Sequence, residues 1–385
     1  AVFCLQELRV PCCAAFCLEM TMALYNRYLR RSSEMSQMDT LRKAVRLDGI
    51  VKSEDYFDGH PGFLRSEGKV EDFMDNYAAV TGPERTQNIS ALISLAGCCG
   101  IAALAATLHG ISLGVQILAT SLLVAVPASI FVAQSRPMAI LQRRMHMVGT
   151  VICGWQGVKK LCAKAAYPLT DRDMFPIGST KLNGVKFFGD LEPDRVVTLA
   201  AGLIHASGSS LDPLFTQLLK SRGGRLQPAV NYRTYPGGGI GGEVMGTPVL
   251  MGPAEFLQDM GVEIPGGTMV SQAIYCSIDG QFSAVFAFNY SRMKSAAAGL
   301  VTLSSCRKLF PVVLSTDFMI TESFLRGKFG IKTKRFSFPD PETRRDLAEK
   351  TADPELVAGA LTTQENLSSA AYAVTGARAL RTSCR

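Results

Sequence analysis

The chain divides into two regimes of hydrophobic patterning. Residues 89–108 (ISALISLAGCCGIAALAATL) carry no charge, and neither do residues 111–133 (ISLGVQILATSLLVAVPASIFVA). Each is close to the roughly 20 apolar residues that a bilayer crossing needs. Only His109 and Gly110 separate them, so the pattern predicts a membrane α-helical hairpin with its tight turn on the outer face. Both ends then face one side, which Arg136, Arg143 and Arg144 mark as the cytoplasm. The alternative is a pair of buried core helices in a soluble protein. Residues 1–24 form a third apolar stretch, broken by Glu7, Arg9 and Glu19, which reads either as the end of a truncated span or as an amphipathic interfacial helix. Residues 25–88 are polar and predict a small cytoplasmic insertion, loop-like from Asp55 to Gly62, with a short helix at 71–77.

From about residue 146 the pattern changes to short apolar runs separated by Gly, Pro and Asp, the rhythm of an α/β fold. Strands are predicted at 185–188, 229–232, 244–250, 273–278, 284–289 and 310–314. Helices are predicted at 193–205, 213–221, 292–305, 321–329 and 341–350. Asp279-Gly280 has the residues of a two-residue hairpin turn. Gly237-Gly238-Gly239 followed by Gly241-Gly242 predicts a bend or a close approach of a ligand to backbone. The run Tyr167-Pro168-Leu169-Thr170-Asp171-Arg172-Asp173 reads as a strand that delivers carboxylates at its C-terminal end, where open α/β sheets place their chemistry.

Composition supports a membrane part joined to a globular part. The 385 residues are 47% hydrophobic and the mean hydropathy is positive, more apolar than an average soluble chain. The net charge of +7 is modest for this length. The basic residues gather beside apolar segments, as Arg27, Arg30, Arg31, Lys159 and Lys160 do, which fits cytoplasmic membrane flanks better than a nucleic-acid face, so no nucleic-acid partner is expected. Among eleven cysteines, Cys12/Cys13 and Cys98/Cys99 are doublets within apolar stretches, and no C-x-x-C pair has a matching partner. Buried reduced thiols in a reducing compartment are expected. The chain opens on Ala1, as a fragment or processed chain does, and no signal peptide is evident.

The order of landmarks carries a resemblance. A hairpin with Pro127 in its second span is followed by a basic stalk and a strand ending in Asp171. A mostly β insertion with a glycine cluster comes next, then a strand ending in Ser315-Thr316-Asp317. That order resembles the P-type ATPases of the haloacid dehalogenase superfamily, most closely their heavy-metal-transporting branch. The resemblance implies a membrane hairpin at 89–133 and a cytoplasmic α/β haloacid-dehalogenase-like domain with an inserted α+β nucleotide-binding domain. The stalk and first part of the phosphorylation domain fall at 134–190, the nucleotide-binding part at 191–290 and the remainder at 291–385. It implies ATP and Mg²⁺ as cofactors. It also implies a lipid bilayer, a nucleotide and a cation as partners, and a multi-pass place in the cell membrane.

Carried over by residue, Asp171 stands at the phosphorylated Asp, and Pro127 at the ion-binding proline. Residues 237–261 look like the G-x-G-V-x-x-x-V-x-G stretch, so Gly237, Gly239, Gly241 and Gly252 would bind nucleotide. Asp212 takes the place of the family's adenine-positioning His. Ser315 or Thr316 would hydrogen-bond the phosphoryl group, and Arg344 or Arg345 would replace the phosphate-clamping Lys. Asp171, Asp173 and Asp317 would surround the metal. The residues also admit plainer readings: Asp171 as part of a capped loop, and Arg344 on a solvated helix start after Pro341.

Several family motifs are altered. The final acidic motif falls at 359–364, GALTTQ, without an acid. Val126 and Ala128 rather than cysteines flank Pro127. Cys98 and Cys99, adjacent on a helix, diverge by about 100° and do not share an ion. A T-G-E-S motif is absent. Three functions follow: ATP-coupled cation transport or a degenerate derivative of it, a non-catalytic membrane-anchored nucleotide sensor, or a membrane-tethered D-x-D phosphohydrolase. In the last, Asp171 is the nucleophile and Asp173 the acid and base.

Overall fold

A computed structural model describes residues 9–44, 46–67, 73, 77, 82–125, 133, 135–235, 238–270, 272–353, 356–364 and 366–383. Two six-stranded sheets organise them. The first is mixed and holds β1 (Asp48–Phe57), β2 (His60–Glu67), β3 (Thr150–Ile152), β4 (Ala165–Leu169), β11 (Leu309–Val313) and β12 (Ala360–Thr362), in the order β11-β4-β2-β1-β12-β3. The second holds β5 (Thr180–Phe187), β6 (Ala229–Tyr235), β7 (Gly239–Val244), β8 (Thr247–Gly252), β9 (Ala273–Ile278) and β10 (Gln281–Tyr290), in the order β5-β10-β9-β8-β7-β6. All its described pairings are antiparallel.

In the mixed sheet, β11 runs parallel to β4, with Val313 opposite Leu169. Two parallel neighbours end at the same level, so the residues after each emerge side by side. That register brings Asp171 to Ser315, Thr316 and Asp317. Both strands are apolar and almost fully buried, as parallel strands covered on both faces must be.

The polar segment 25–88 corrects the expectation of an insertion. A single helix, α1 (Arg9–Arg42), runs through the boundary placed at residue 24. The stretch read as a loop is the β1–β2 hairpin, turned at Asp58 and Gly59 with φ values of 51° and 66°. β2 lies beside β4, and β1 pairs antiparallel with β12. The hairpin therefore separates β12, whose strand carries the altered acidic motif, from the strand that delivers Asp171. Of the helix expected at 71–77, only Phe73 and Tyr77 are described residues.

The apolar hairpin consists of α2 (Gly82–His109) and α3 (Ile111–Ala125), joined at Gly110, whose φ is +95°. A Cβ at Gly114 would stand 2.6 Å from that of Ala106, so glycine permits the close approach of the two helices. Among the described residues, 89–109 of α2 form one helix long and apolar enough to cross a membrane, and 17% of its most apolar window is buried. The described part of the second arm is shorter, and Pro127 lies outside the described residues. Leu92, Ile93, Leu104, Leu108 and Ile111 are exposed. Helices α4 (Ser135–Met147) and α5 (Gly154–Leu161) follow, and the single turn α6 (Asp171–Met174) begins at the candidate carboxylate.

In the antiparallel sheet the expected strands appear, with one division. The run 244–250 is two strands, broken at Met245-Gly246, where both φ values are positive. Asp279-Gly280 forms the turn between β9 and β10 with φ of 51° and 75°, the geometry that Asp-Gly favours. Helices α7 (Pro193–Ser207) and α8 (Asp212–Ser221) pack on this sheet, and the short α9 (Ala254–Asp259) follows β8. α10 (Lys294–Ser305), α11 (Glu322–Phe329), α12 (Pro341–Glu349) and α13 (Leu367–Ser383) belong to the 291–385 segment. One apolar core cluster includes residues from both sheets.

Candidate functional site

The site begins at the C-terminal ends of β4 and β11. Leu314 N donates to Leu169 O at 2.8 Å, which extends the strand pairing by one step and locks the two loop starts together. Asp171 then meets three donors. Ser315 Oγ donates to its Oδ1, while Thr316 N and Thr316 Oγ1 donate to its Oδ2 at 3.0 and 2.9 Å. Burial pushes the Asp171 carboxyl upward in pKa, and the Ser315 and Thr316 hydrogen bonds oppose that shift. The next acid along, Asp317, is fully buried. Its Oδ2 accepts from Tyr290 OH at 2.7 Å and its Oδ1 from Met319 N at 2.9 Å. Burial, then the negative charge of Asp171, pushes its pKa up to about 7.

Arg344, on α12, donates from Nε to Pro339 O at 2.7 Å and from Nη1 to Ser315 O at 3.2 Å. These two carbonyls hold the guanidinium beside the loop. Burial lowers its pKa, and Asp171 opposes that change. Arg344 and Arg345 both line a cleft of about 600 Å³. Its lining includes Ser315, Thr316, Phe318 and Arg344 together with Tyr232, Tyr235, Gly238 and Gly239. The volume lies within the range of small-molecule sites, and aromatic walls with a few directed polar groups are their usual lining.

Asp173 has a different environment from Asp171. Its Oδ2 accepts from Thr170 N at 2.9 Å and Thr170 Oγ1 at 3.0 Å, which fixes the turn. Its Oδ1 accepts from Arg65 Nη2 at 2.5 Å, and Arg65 Nη2 also reaches Tyr167 OH at 3.3 Å. The Asp173 side chain is 3% exposed and that of Arg65 30%. Burial lowers the Arg65 pKa, but Tyr167 and Asp173 outweigh it, so the guanidinium stays charged. Asp173 is thus the carboxylate of a buried ion pair with both oxygens engaged. Expecting it as acid, base or metal ligand is corrected on that ground.

The structure brings together Asp171, Ser315, Thr316, Asp317 and Arg344, all singled out in the sequence. The expected Mg²⁺ ligands do not fit a divalent cation. Among the described residues no three His, Cys, Asp or Glu side chains converge to hold a metal. Asp173 faces Arg65, and Asp317 is sealed by Tyr290 and Met319. Mg²⁺ at a phosphate site takes one or two carboxylates with waters and phosphate oxygens, and of the three expected ligands only Asp171 is left to offer one, with both its oxygens already accepting hydrogen bonds.

The expected nucleotide residues divide as well. Gly239 lines the cleft, Gly241, Gly252 and Asp212 do not, and Gly237 lies outside the described residues. Their smallness has packing causes: a Cβ on Gly239 or Gly252 would strike the Phe256 ring, and one on Gly241 would strike Leu250. Asp212 instead accepts from Thr216 Oγ1 at 3.3 Å and lies 3.1 Å from His205 Nδ1. Cys98 is buried and Cys99 exposed, so the doublet faces two ways. Buried Cys153 and Cys276 have pKa values pushed up by burial, to about 11 and about 12, so both are protonated thiols.

Sequence reasoning missed Arg65, Tyr290, Tyr232 and Tyr235. The one available signal for Arg65 was Asp58-Gly59, a turn pair that makes the flanking residues a hairpin.

No family model matches the chain. Among curated proteins it is similar to Copper-transporting ATPase 1 of Rhizobium meliloti (strain 1021), 26% identical over 157 residues, which cover 37% of this chain. The chain spans about a fifth of that relative, 19% of its length. Among solved structures it is similar to a zinc-transporting PIB-type ATPase, at 12% identity and TM-score 0.42. That match covers 95% of this chain and 79% of the other. It is also similar to the catalytic domain of the CPx-ATPase CopB-B, at 15% identity and TM-score 0.32, over 53% of this chain and 72% of that one. The N-domain of HMA6, a copper-transporting P-type ATPase, matches at 18% identity and TM-score 0.25, over 29% of this chain and all of that one.

Proposed function

We propose that this chain, a divergent relative of the heavy-metal-transporting P-type ATPases, binds a nucleotide in the cleft between its two sheets without turning it over, beside a membrane-anchoring helical hairpin. The observation that carries this reading is the cleft itself, lined by Ser315, Thr316 and Arg344 together with Tyr232, Tyr235 and Gly238. A guanidinium suits phosphate oxygens, and aromatic rings suit a base. The carboxylates needed to complete a catalytic metal site do not converge among the described residues, which favours binding over catalysis. Residues 89–109, apolar and mostly exposed, support the anchor and a place in the cell membrane with the nucleotide part in the cytoplasm.

Titrating ATP into the purified, detergent-solubilised chain while following its melting temperature and released phosphate tests this. The proposal expects a concentration-dependent rise in melting temperature and no phosphate above a no-protein control.

A second reading, ATP-coupled cation transport, is favoured by one observation: Asp171 stands at a strand end against Ser315 and Thr316, as a carboxylate to be phosphorylated would. It predicts an acid-stable, hydroxylamine-sensitive label from γ-labelled ATP that is lost in Asp171→Asn. The phosphohydrolase reading has little support, because Asp173 spends both oxygens on Thr170 and Arg65.

A further inference from the structure

We propose that the cleft takes the phosphates of its ligand on the guanidinium groups of Arg344 and Arg345 and needs no divalent cation to do so. This rests on the nucleotide reading above and adds how the charge of the ligand is met.

The carboxylate oxygens nearest the cleft are already occupied. Both oxygens of Asp171 accept hydrogen bonds from Ser315 or Thr316, and both oxygens of Asp317 accept from Tyr290 or Met319 N behind a fully buried side chain. Of the acids that line the cleft, Glu322 accepts from Thr333 Oγ1 at 2.9 Å, and Asp340 caps α12 by accepting from Thr343 N and Oγ1 at 3.0 and 2.7 Å. A dication bound here would have to compete with these contacts for the one or two carboxylates it takes beside waters and phosphate oxygens.

The cations are differently placed. Nε and Nη1 of Arg344 are committed to carbonyls that orient its plane, while Nη2 has no hydrogen-bond partner among the described residues. Arg345 follows on the same helix, exposed, without an ion pair among the described residues. A planar fork held by backbone carbonyls meets phosphate oxygens with directed, charge-assisted hydrogen bonds. Two such groups supply the positive charge that a phosphate-bound dication otherwise brings.

Isothermal titration of the detergent-solubilised chain with ATP, in EDTA and in excess Mg²⁺ at matched ionic strength, tests the proposal, with adenosine as the phosphate-free probe. The two ATP affinities are expected to agree within about twofold. ATP affinity should fall about tenfold or more, 1.4 kcal/mol, in Arg344→Gln, and by a smaller factor in Arg345→Gln, whose exposed position leaves folding intact. Adenosine affinity should be the same in all three proteins. ATP binding at least tenfold tighter with Mg²⁺, or ATP affinity unmoved in both variants, would overturn this inference while leaving the nucleotide reading standing. No ATP binding under either condition would overturn both.

Discussion

Asp171 and Asp173 lie two residues apart in one short turn, yet they look toward different parts of the molecule. Asp171 meets hydroxyl and amide donors from Ser315 and Thr316, which themselves line the 600 Å³ cleft. Asp173 faces the β1–β2 hairpin and closes an ion pair with Arg65. The D-x-D spacing in the sequence places both in one site, as nucleophile and as acid and base. The fold assigns one to a candidate ligand site and the other to the join between a hairpin and the sheet.

The sharpest way to break that contrast is to remove Asp173. Asp173→Ala leaves a partly buried guanidinium unpaired and strips the turn of its cap, so a loss of about 3 kcal/mol of stability is expected. Urea unfolding of the variant measures it, and Arg65→Met should cost a comparable amount from the other side. A loss under about 1 kcal/mol in both would show that the pair does not hold the hairpin to the turn.

Asp317 gives a smaller effect with a sign that depends on pH. Its folded pKa of about 7 lies above the ordinary carboxylate value. Between about pH 4 and 7 the folded state therefore holds a proton that the unfolded chain releases, and this contribution to stability is lost as pH rises through 7. Asp317→Asn removes that dependence. Relative to the natural chain, the variant should gain more than about 1.4 kcal/mol between pH 5 and pH 8, one pKa unit's worth. Paired unfolding curves at the two pH values read this directly, and a constant difference would contradict the burial assignment.

The smallest effect is expected at Asp171. Burial penalises its charge while its hydrogen bonds favour it, and Asn keeps an acceptor for Ser315 while its NH2 faces Thr316, whose exposed N–H is open to solvent. Asp171→Asn should change stability by less than about 1 kcal/mol, in contrast to the expected cost at Asp173.

What was legible in the sequence follows the same division. The antiparallel sheet announced itself through short apolar runs and Asp279-Gly280, because its hairpins are local and their turns need residues that tolerate positive φ. Asp171 and Ser315-Thr316-Asp317 were legible as a pair because adjacent parallel strands end at one level. The β1–β2 hairpin was not, although Asp58-Gly59 marks its turn. Lys52, Glu54, Asp55, His60, Arg65 and Glu67 give it the composition of a loop. Its core contacts come from Ile50, Val51, Tyr56, Phe63 and Leu64. Arg65 finds its partner 108 positions along the chain, beyond the reach of local patterning. The glycine cluster misled for a related reason: Phe256 and Leu250 fill the space that glycines at 239, 241 and 252 leave open, and no ligand is needed to account for them.

The central claim, nucleotide binding in the cleft, is tested most directly by the melting temperature of the whole chain as ATP is raised. The account predicts a continuous rise that corresponds to about 2.7 kcal/mol of stabilisation when ATP reaches a hundred times its dissociation constant. A melting temperature that does not move with ATP at any concentration would contradict it.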